Sequence, residues 1–118
     1  METFKIRAKV TDPIIFQCQQ QVGNDAPPVP VDLTGVDAVE LHARERTTGA
    51  VLTFKSSDVP PLIAVTDEDN GEVTFSPLAT TFVAAAQYNG WLRVTDALGK
   101  IISYPTGEFF TLVVVEEF

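Results

Sequence analysis

Apolar and polar residues alternate along most of this chain with a two-residue period, which turns one face of a strand inward and the other toward solvent. Residues 4–10 read Phe-Lys-Ile-Arg-Ala-Lys-Val. The pattern predicts a half-buried strand, and its basic face predicts an edge, since Lys at an edge discourages unwanted pairing. Asp12-Pro13 ends the run. Ile14, Phe16 and Cys18 then share one face, with Gln17 and Gln19 on the other. Val39, Leu41 and Ala43 are predicted inward, with Glu40, His42 and Arg44 outward. Shorter strands are expected over 50–55, 62–66, 91–95 and 100–104, and Val73 and Phe75 are expected inward. Phe109 to Val115 is almost continuously apolar, which predicts a central strand covered on both faces.

Turn signals separate these runs. They include Asp32-Leu33-Thr34-Gly35, Thr48-Gly49, Asp69-Asn70-Gly71, Asp96 to Gly99 and Pro105-Thr106-Gly107. Asn70-Gly71 predicts a type I′ hairpin. Gly23 to Pro28 is a loop that regular structure cannot accommodate. One stretch departs from the β pattern. Ser76 suits a helix cap, Pro77 a first helical position, and Leu78, Phe82 and Ala85 recur at helical spacing before Asn89-Gly90. These signals predict one short helix near 77–87. The whole reads as a single domain over 1–118, an all-β, immunoglobulin-like antiparallel β-sandwich of about eight or nine short strands with that helix crossing one end.

Composition narrows the function. The chain has 118 residues, a net charge of -8, 45% hydrophobic residues and one cysteine. No stretch approaches the ~20 apolar residues of a membrane span, and the first ten residues lack the apolar core of a secretory signal. The charge argues against nucleic acid, which is bound through Lys and Arg. A lone Cys18 excludes an intrachain disulfide and, beside Ile14 and Phe16, reads as a small buried hydrophobe.

Candidate chemistry is sparse. His42 is the only histidine. With Glu40 and Arg44 it forms an exposed strand face, and no nucleophile elbow accompanies it. A zinc site needs more His or Cys than the chain supplies. Asp67, Asp69 and Glu72 surround Asn70-Gly71 without calcium-loop spacing and read as a solvated hairpin tip. Ala84-x-Ala86-x-Tyr88 resembles a tyrosine corner, in which the hydroxyl bonds back to the backbone. Trp91 and Tyr104 are candidate stacking platforms for a sugar. Gln17 and Gln19 to Gln21 lead into the proline-rich loop. No catalytic residue, cofactor or metal ligand is expected.

The ordered motifs resemble the immunoglobulin-like domain at the N-terminus of tailed-phage upper baseplate proteins and related short virion proteins. They are Phe4 and Ile6, Asp12-Pro13, Pro30 to Gly35, Leu41 to Arg44, Asn70 to Phe75, Ala84 to Tyr88, Asp96 to Lys100 and Leu112 to Val115. Relatives of that kind carry further oligomerising sequence after this domain, whereas this sequence stops with it. The resemblance therefore implies a virion component more than a baseplate part. It implies a non-enzymatic structural and interaction protein of the tail, baseplate or neck, assembled in the host cytoplasm and located in the virion. Its expected partners are other virion proteins and further copies of itself in a symmetric assembly. The alternatives are a capsid decoration or head-fibre protein and a carbohydrate-binding module for host adsorption. A small hydrolase is a third possibility, requiring His42 within hydrogen-bond reach of a Ser or carboxylate in a pocket. The expected contact residues are Phe4, Lys5, Ile6, Arg7 and Lys9 on the first strand, and Val22, Pro27 and Pro28 in the 22–31 loop, with Trp91 and Tyr104 as glycan contacts.

Overall fold

The alternation at 38–45 becomes a strand whose inward side chains Val39, Leu41 and Ala43 are at most 1% exposed. The computed structural model describes residues 3–20, 27–105 and 109–115. Its strands are β1 (Thr3–Arg7), β2 (Ile14–Gln17), β3 (Gln19–Gln20), β4 (Val29–Pro30), β5 (Ala38–Glu45), β6 (Val51–Lys55), β7 (Ile63–Asp67), β8 (Glu72–Phe75), β9 (Ala86–Thr95), β10 (Ile101–Tyr104) and β11 (Phe110–Val115). One sheet runs β1-β11-β9-β5-β6, with β10 also pairing β9. The second runs β2-β8-β7, and β3 with β4 makes a small ribbon. This strand order is that of an immunoglobulin-like sandwich.

The ten-residue β9 organises the large sheet. Its Ala86–Gly90 half pairs β11, its Leu92–Thr95 half pairs β10, and β5 pairs along its other side. All pairs are antiparallel except β1 with β11, which is parallel from Thr3↔Thr111 to Arg7↔Val115. The core lies between the sheets. Phe75 is fully buried, with its ring centroid 4.8 Å from Phe54 and 6.2 Å from Phe82. Phe4, Phe16 and Phe110 form a second aromatic group at centroid distances of 4.8–5.6 Å, which fastens β1 to β2 and β11. The strand β11 is flanked on both sides, and Phe110, Thr111, Leu112 and Val114 are buried.

Four sequence expectations are corrected. No helix forms among the described residues. Residues 77–85 are turn and bend, with the Thr81 amide donating to the Leu78 carbonyl at 3.0 Å and the Leu78 amide donating to Thr81 Oγ1 at 2.9 Å. Thr80, Thr81 and Val83 are β-branched and disfavour a helix, while Phe82 is drawn into the core at 4% exposure and Leu78 stays outside. The next strand consequently starts at Ala86, well before Trp91.

The first strand also ends earlier than its alternation suggests. Lys9 has φ 64° and its amide donates to the Phe82 carbonyl, so it leaves the strand face shared by Lys5 and Arg7. The Asn70-Gly71 turn is not type I′, which needs positive φ at both central residues. Only Gly71 is positive there, at φ 66°, and the turn spans 68–71 between the paired Asp67 and Glu72. Finally, Tyr88 packs on Phe82 at 5.5 Å, and among the described residues its hydroxyl makes no backbone bond that would close a tyrosine corner. The Pro105-Thr106-Gly107 turn falls largely outside the described residues.

Candidate interaction site

The large sheet ends at β1, whose second edge has no strand beside it among the described residues. The direction of its free groups follows from one hydrogen bond. The Ala8 amide donates to the Val115 carbonyl at 2.8 Å, so even-numbered residues turn their backbone groups toward β11. Along a strand these groups alternate, which aims those of Thr3, Lys5 and Arg7 at the open edge. The side chains alternate too. Ile6 is buried, Phe4 is half-buried, and Lys5 and Arg7 are exposed.

Beside this edge a cleft of about 380 Å³ opens between the two sheets, lined by Lys5, Ile6, Arg7, Asp12, Pro13 and Ile14. Three of the expected contact residues, Lys5, Ile6 and Arg7, therefore line one concavity. Phe4 does not line it and packs instead on Phe16 and Phe110. Pro27 and Pro28 are exposed, next to β4. Val22 lies outside the described residues. Asp12 and Pro13, read as a strand break and as one of the ordered motifs but not as contact residues, supply the far wall. Sequence reasoning missed them because strand breaks carry no signal of what they face.

His42 has closer neighbours than an isolated strand residue would. Its Nε2 is 2.9 Å from Glu40 Oε1, and its Nδ1 is 3.4 Å from Thr53 Oγ1. The ring lies nearly parallel to Trp91, at 5.3 Å and 7°. The carboxylate that the hydrolase reading asks for is thus present as Glu40, whereas the nearby hydroxyl is a threonine's and not a serine's. However, Thr53 sits on the flat outer face of β6 at the long end of hydrogen-bond distance, and the β1–β2 cleft is lined by other residues. The group is a cross-strand stack, Thr53–His42–Trp91–Phe109, that covers the middle of the sheet.

The two glycan candidates part company. Tyr104 is 8% exposed, because Tyr104 pairs with the inward Leu92 and so points into the core. Burial raises its phenol pKa, and the neighbouring Cys18 adds to this. It offers no platform. Trp91 is half-buried, with one face on His42 and its ring meeting Phe109 at 5.6 Å and 60°. At the acidic hairpin, Asp67 Oδ2 accepts from Asn70 Nδ2 at 2.8 Å, and no group of three or more metal-ligating side chains is present among the described residues.

Cys18 is fully buried, and burial pushes its thiol pKa up to about 12 from 9.0. A raised pKa means the unfolded chain loses its proton first. The associated stability is present below pH 9.0 and is lost as pH rises toward about 12. In the native protein, thiol-reactive dye at pH 8 is expected to label Cys18 on the order of 1000-fold more slowly than in denaturant. Equal rates would mean that the β2–β3 junction is open.

No family model and no curated protein matches the chain. Among solved structures it is similar to murine CRIg, with 11% identity and a TM-score of 0.42, over 100% of this chain and 94% of that one. A likeness so distant carries no argument, and the strand order alone establishes the immunoglobulin-like fold.

Proposed function

We propose that this protein is a non-enzymatic assembly module of a tailed-phage virion, built in the host cytoplasm, that joins neighbouring virion proteins through the open edge of β1. The observation that carries the interaction reading is the combination of backbone groups at Lys5 and Arg7 that have no strand partner among the described residues with the adjoining cleft. An extended segment added to such an edge gains main-chain hydrogen bonds, while side-chain pockets select its sequence. Lys5 and Arg7 select for acidic residues, and like charge disfavours two β1 edges meeting each other. The virion assignment rests on the ordered motifs from Phe4 to Val115, which resemble the phage domain. Symmetric repetition in a tail, baseplate or neck would multiply a modest contact into a stable one.

The test is Lys5→Pro in the phage that encodes the chain. The Lys5 amide lies outside the β1–β11 ladder, and proline is tolerated at such edge positions. The folded protein should keep its melting temperature within about 5 °C. Its incorporation into purified particles, read by mass spectrometry, should fall about tenfold or more. Absence of the native protein from particles, or full incorporation of the variant, would contradict the proposal.

A further inference from the structure

The cations of this acidic chain are gathered on one surface. The chain has eight Lys and Arg against 16 Asp and Glu. Register places Lys5 and Arg7 of β1, Arg44 of β5, Arg93 of β9 and Lys55 of β6 on the outward face of the large sheet. Arg46 lies across the same face, donating to Asn89 Oδ1, Gln87 Oε1 and Thr111 Oγ1 at 2.8–3.0 Å. Among the described residues, Glu40 is the one carboxylate at an outward strand position of this sheet, and it is bonded to His42. Among the described residues none of these six cations forms an ion pair. Arg93 Nε is moreover a buried donor without a hydrogen-bond partner.

The acids lie elsewhere. The β7–β8 hairpin of the other sheet concentrates Asp67, Glu68, Asp69 and Glu72, with Glu68 and Asp69 exposed. We infer that the outward face of the large sheet docks a second copy of this chain head to tail, receiving the acidic β7–β8 end of that copy. A symmetric face-to-face dimer is excluded, because it would set the unpaired cations of one copy against those of the other. A heterologous contact places each cationic face on an acidic end and repeats, giving a ring or a column. A polyanion such as nucleic acid is disfavoured by the net charge of -8, which repels it before it reaches the face. This contact rests on the reading of the protein as an assembly module, but the residues that carry it, Arg44, Lys55 and Arg93, lie on β5, β6 and β9, away from the open edge of β1.

The test pairs two charge-reversed variants and leaves β1 untouched. The face variant carries Arg44→Glu and Lys55→Glu, and the end variant carries Glu68→Lys and Asp69→Lys. These positions are exposed, and among the described residues none of their side chains forms an ion pair. Sedimentation equilibrium at about 50 mM salt should show the native chain self-associating, with loss at about 500 mM. Each variant alone should associate about tenfold more weakly or worse, and an equimolar mixture should recover association, because the acidic face of one fits the basic end of the other. The end variant is the sharper case. Two acids changed to Lys move its net charge from -8 to -4, so general charge repulsion predicts more association and the contact predicts less. A native chain monomeric at both salts would overturn the inference. So would variants that associate like the native chain, or native binding to duplex DNA that the face variant loses. A failure here with Lys5→Pro still excluded from particles would leave the β1 reading standing.

Discussion

Replacing Gly71 with alanine is expected to destabilise the protein by about 3 kcal/mol, combining left-handed backbone strain with a steric clash. Gly71 sits at φ +66°, and a Cβ there would lie 2.6 Å from the Val31 carbonyl oxygen and 2.8 Å from that of Cys18. Both obstacles are backbone, and both are pinned. The Cys18 amide donates to the Gly71 carbonyl at 2.8 Å, and the Val31 amide donates to the Cys18 carbonyl at 2.9 Å. Relief of the clash would break the junction where the ends of β2 and β4 meet the β7–β8 turn. Gly49→Ala is the matched control, with φ +74° but nothing within 4 Å of its Cβ, so it should cost only about 1 kcal/mol. Urea unfolding measures both. A midpoint for Gly71→Ala equal to that of the control would show that the crossing is loose.

Phe75→Ala is expected to cost about 4 kcal/mol, in the range for emptying a buried aromatic site. Phe75 is opposite Ile14 and Ile63 within the small sheet and reaches across to Phe54 of the large one. It also supports Phe82, the residue that anchors the irregular 77–85 segment to the core. Its loss removes contacts on both sheets and on that segment together. Domains of this size are stable by only ~5–15 kcal/mol, so the variant should unfold at markedly lower urea. Phe75→Leu, which retains most of the volume, should lose only about 1.5 kcal/mol. An alanine variant no less stable than the leucine one would place the centre of the core elsewhere.

The sandwich was readable wherever one strand face is buried and the other wet. The alternation at 38–44 and at 14–18 matched the observed burial residue by residue, whereas the continuous apolar run ending at Val115 lies between two strands but is not covered on both faces, its outward Val113 and Val115 being only half-buried. The segment 77–90 misled because its local signals are real but are outweighed by tertiary contacts. Ser76-Pro77 suits a helix start, yet core packing of Phe82 and the Thr81 hydroxyl bond hold a turn. Asn89-Gly90 looks like a helix stop, but Gly90 lies inside β9 because the ring of Phe110 occupies the space its side chain would need, with Phe110 Cζ 2.8 Å from a Cβ placed there.

For the candidate site, the basic alternation of Lys5 and Arg7 announced an edge strand. The parallel pairing of that strand with β11 was invisible, since its partner lies at the other end of the chain. The same holds for the clustering of cations. Arg44, Lys55 and Arg93 are scattered in sequence, and only the strand register brings them to one face. Tyr104 was misjudged for a related reason. A tyrosine near a strand end is inward or outward according to its partner, here the core residue Leu92.

The most direct test of the proposed virion role is a cryo-electron microscopy map of purified particles of the phage proposed to encode this chain. The account predicts repeated copies of the sandwich in the virion, with an extended segment of a neighbouring protein lying along the open edge of β1 beside Lys5 and Arg7. A map in which the sandwich is missing, or in which that edge faces solvent in every copy, would contradict it.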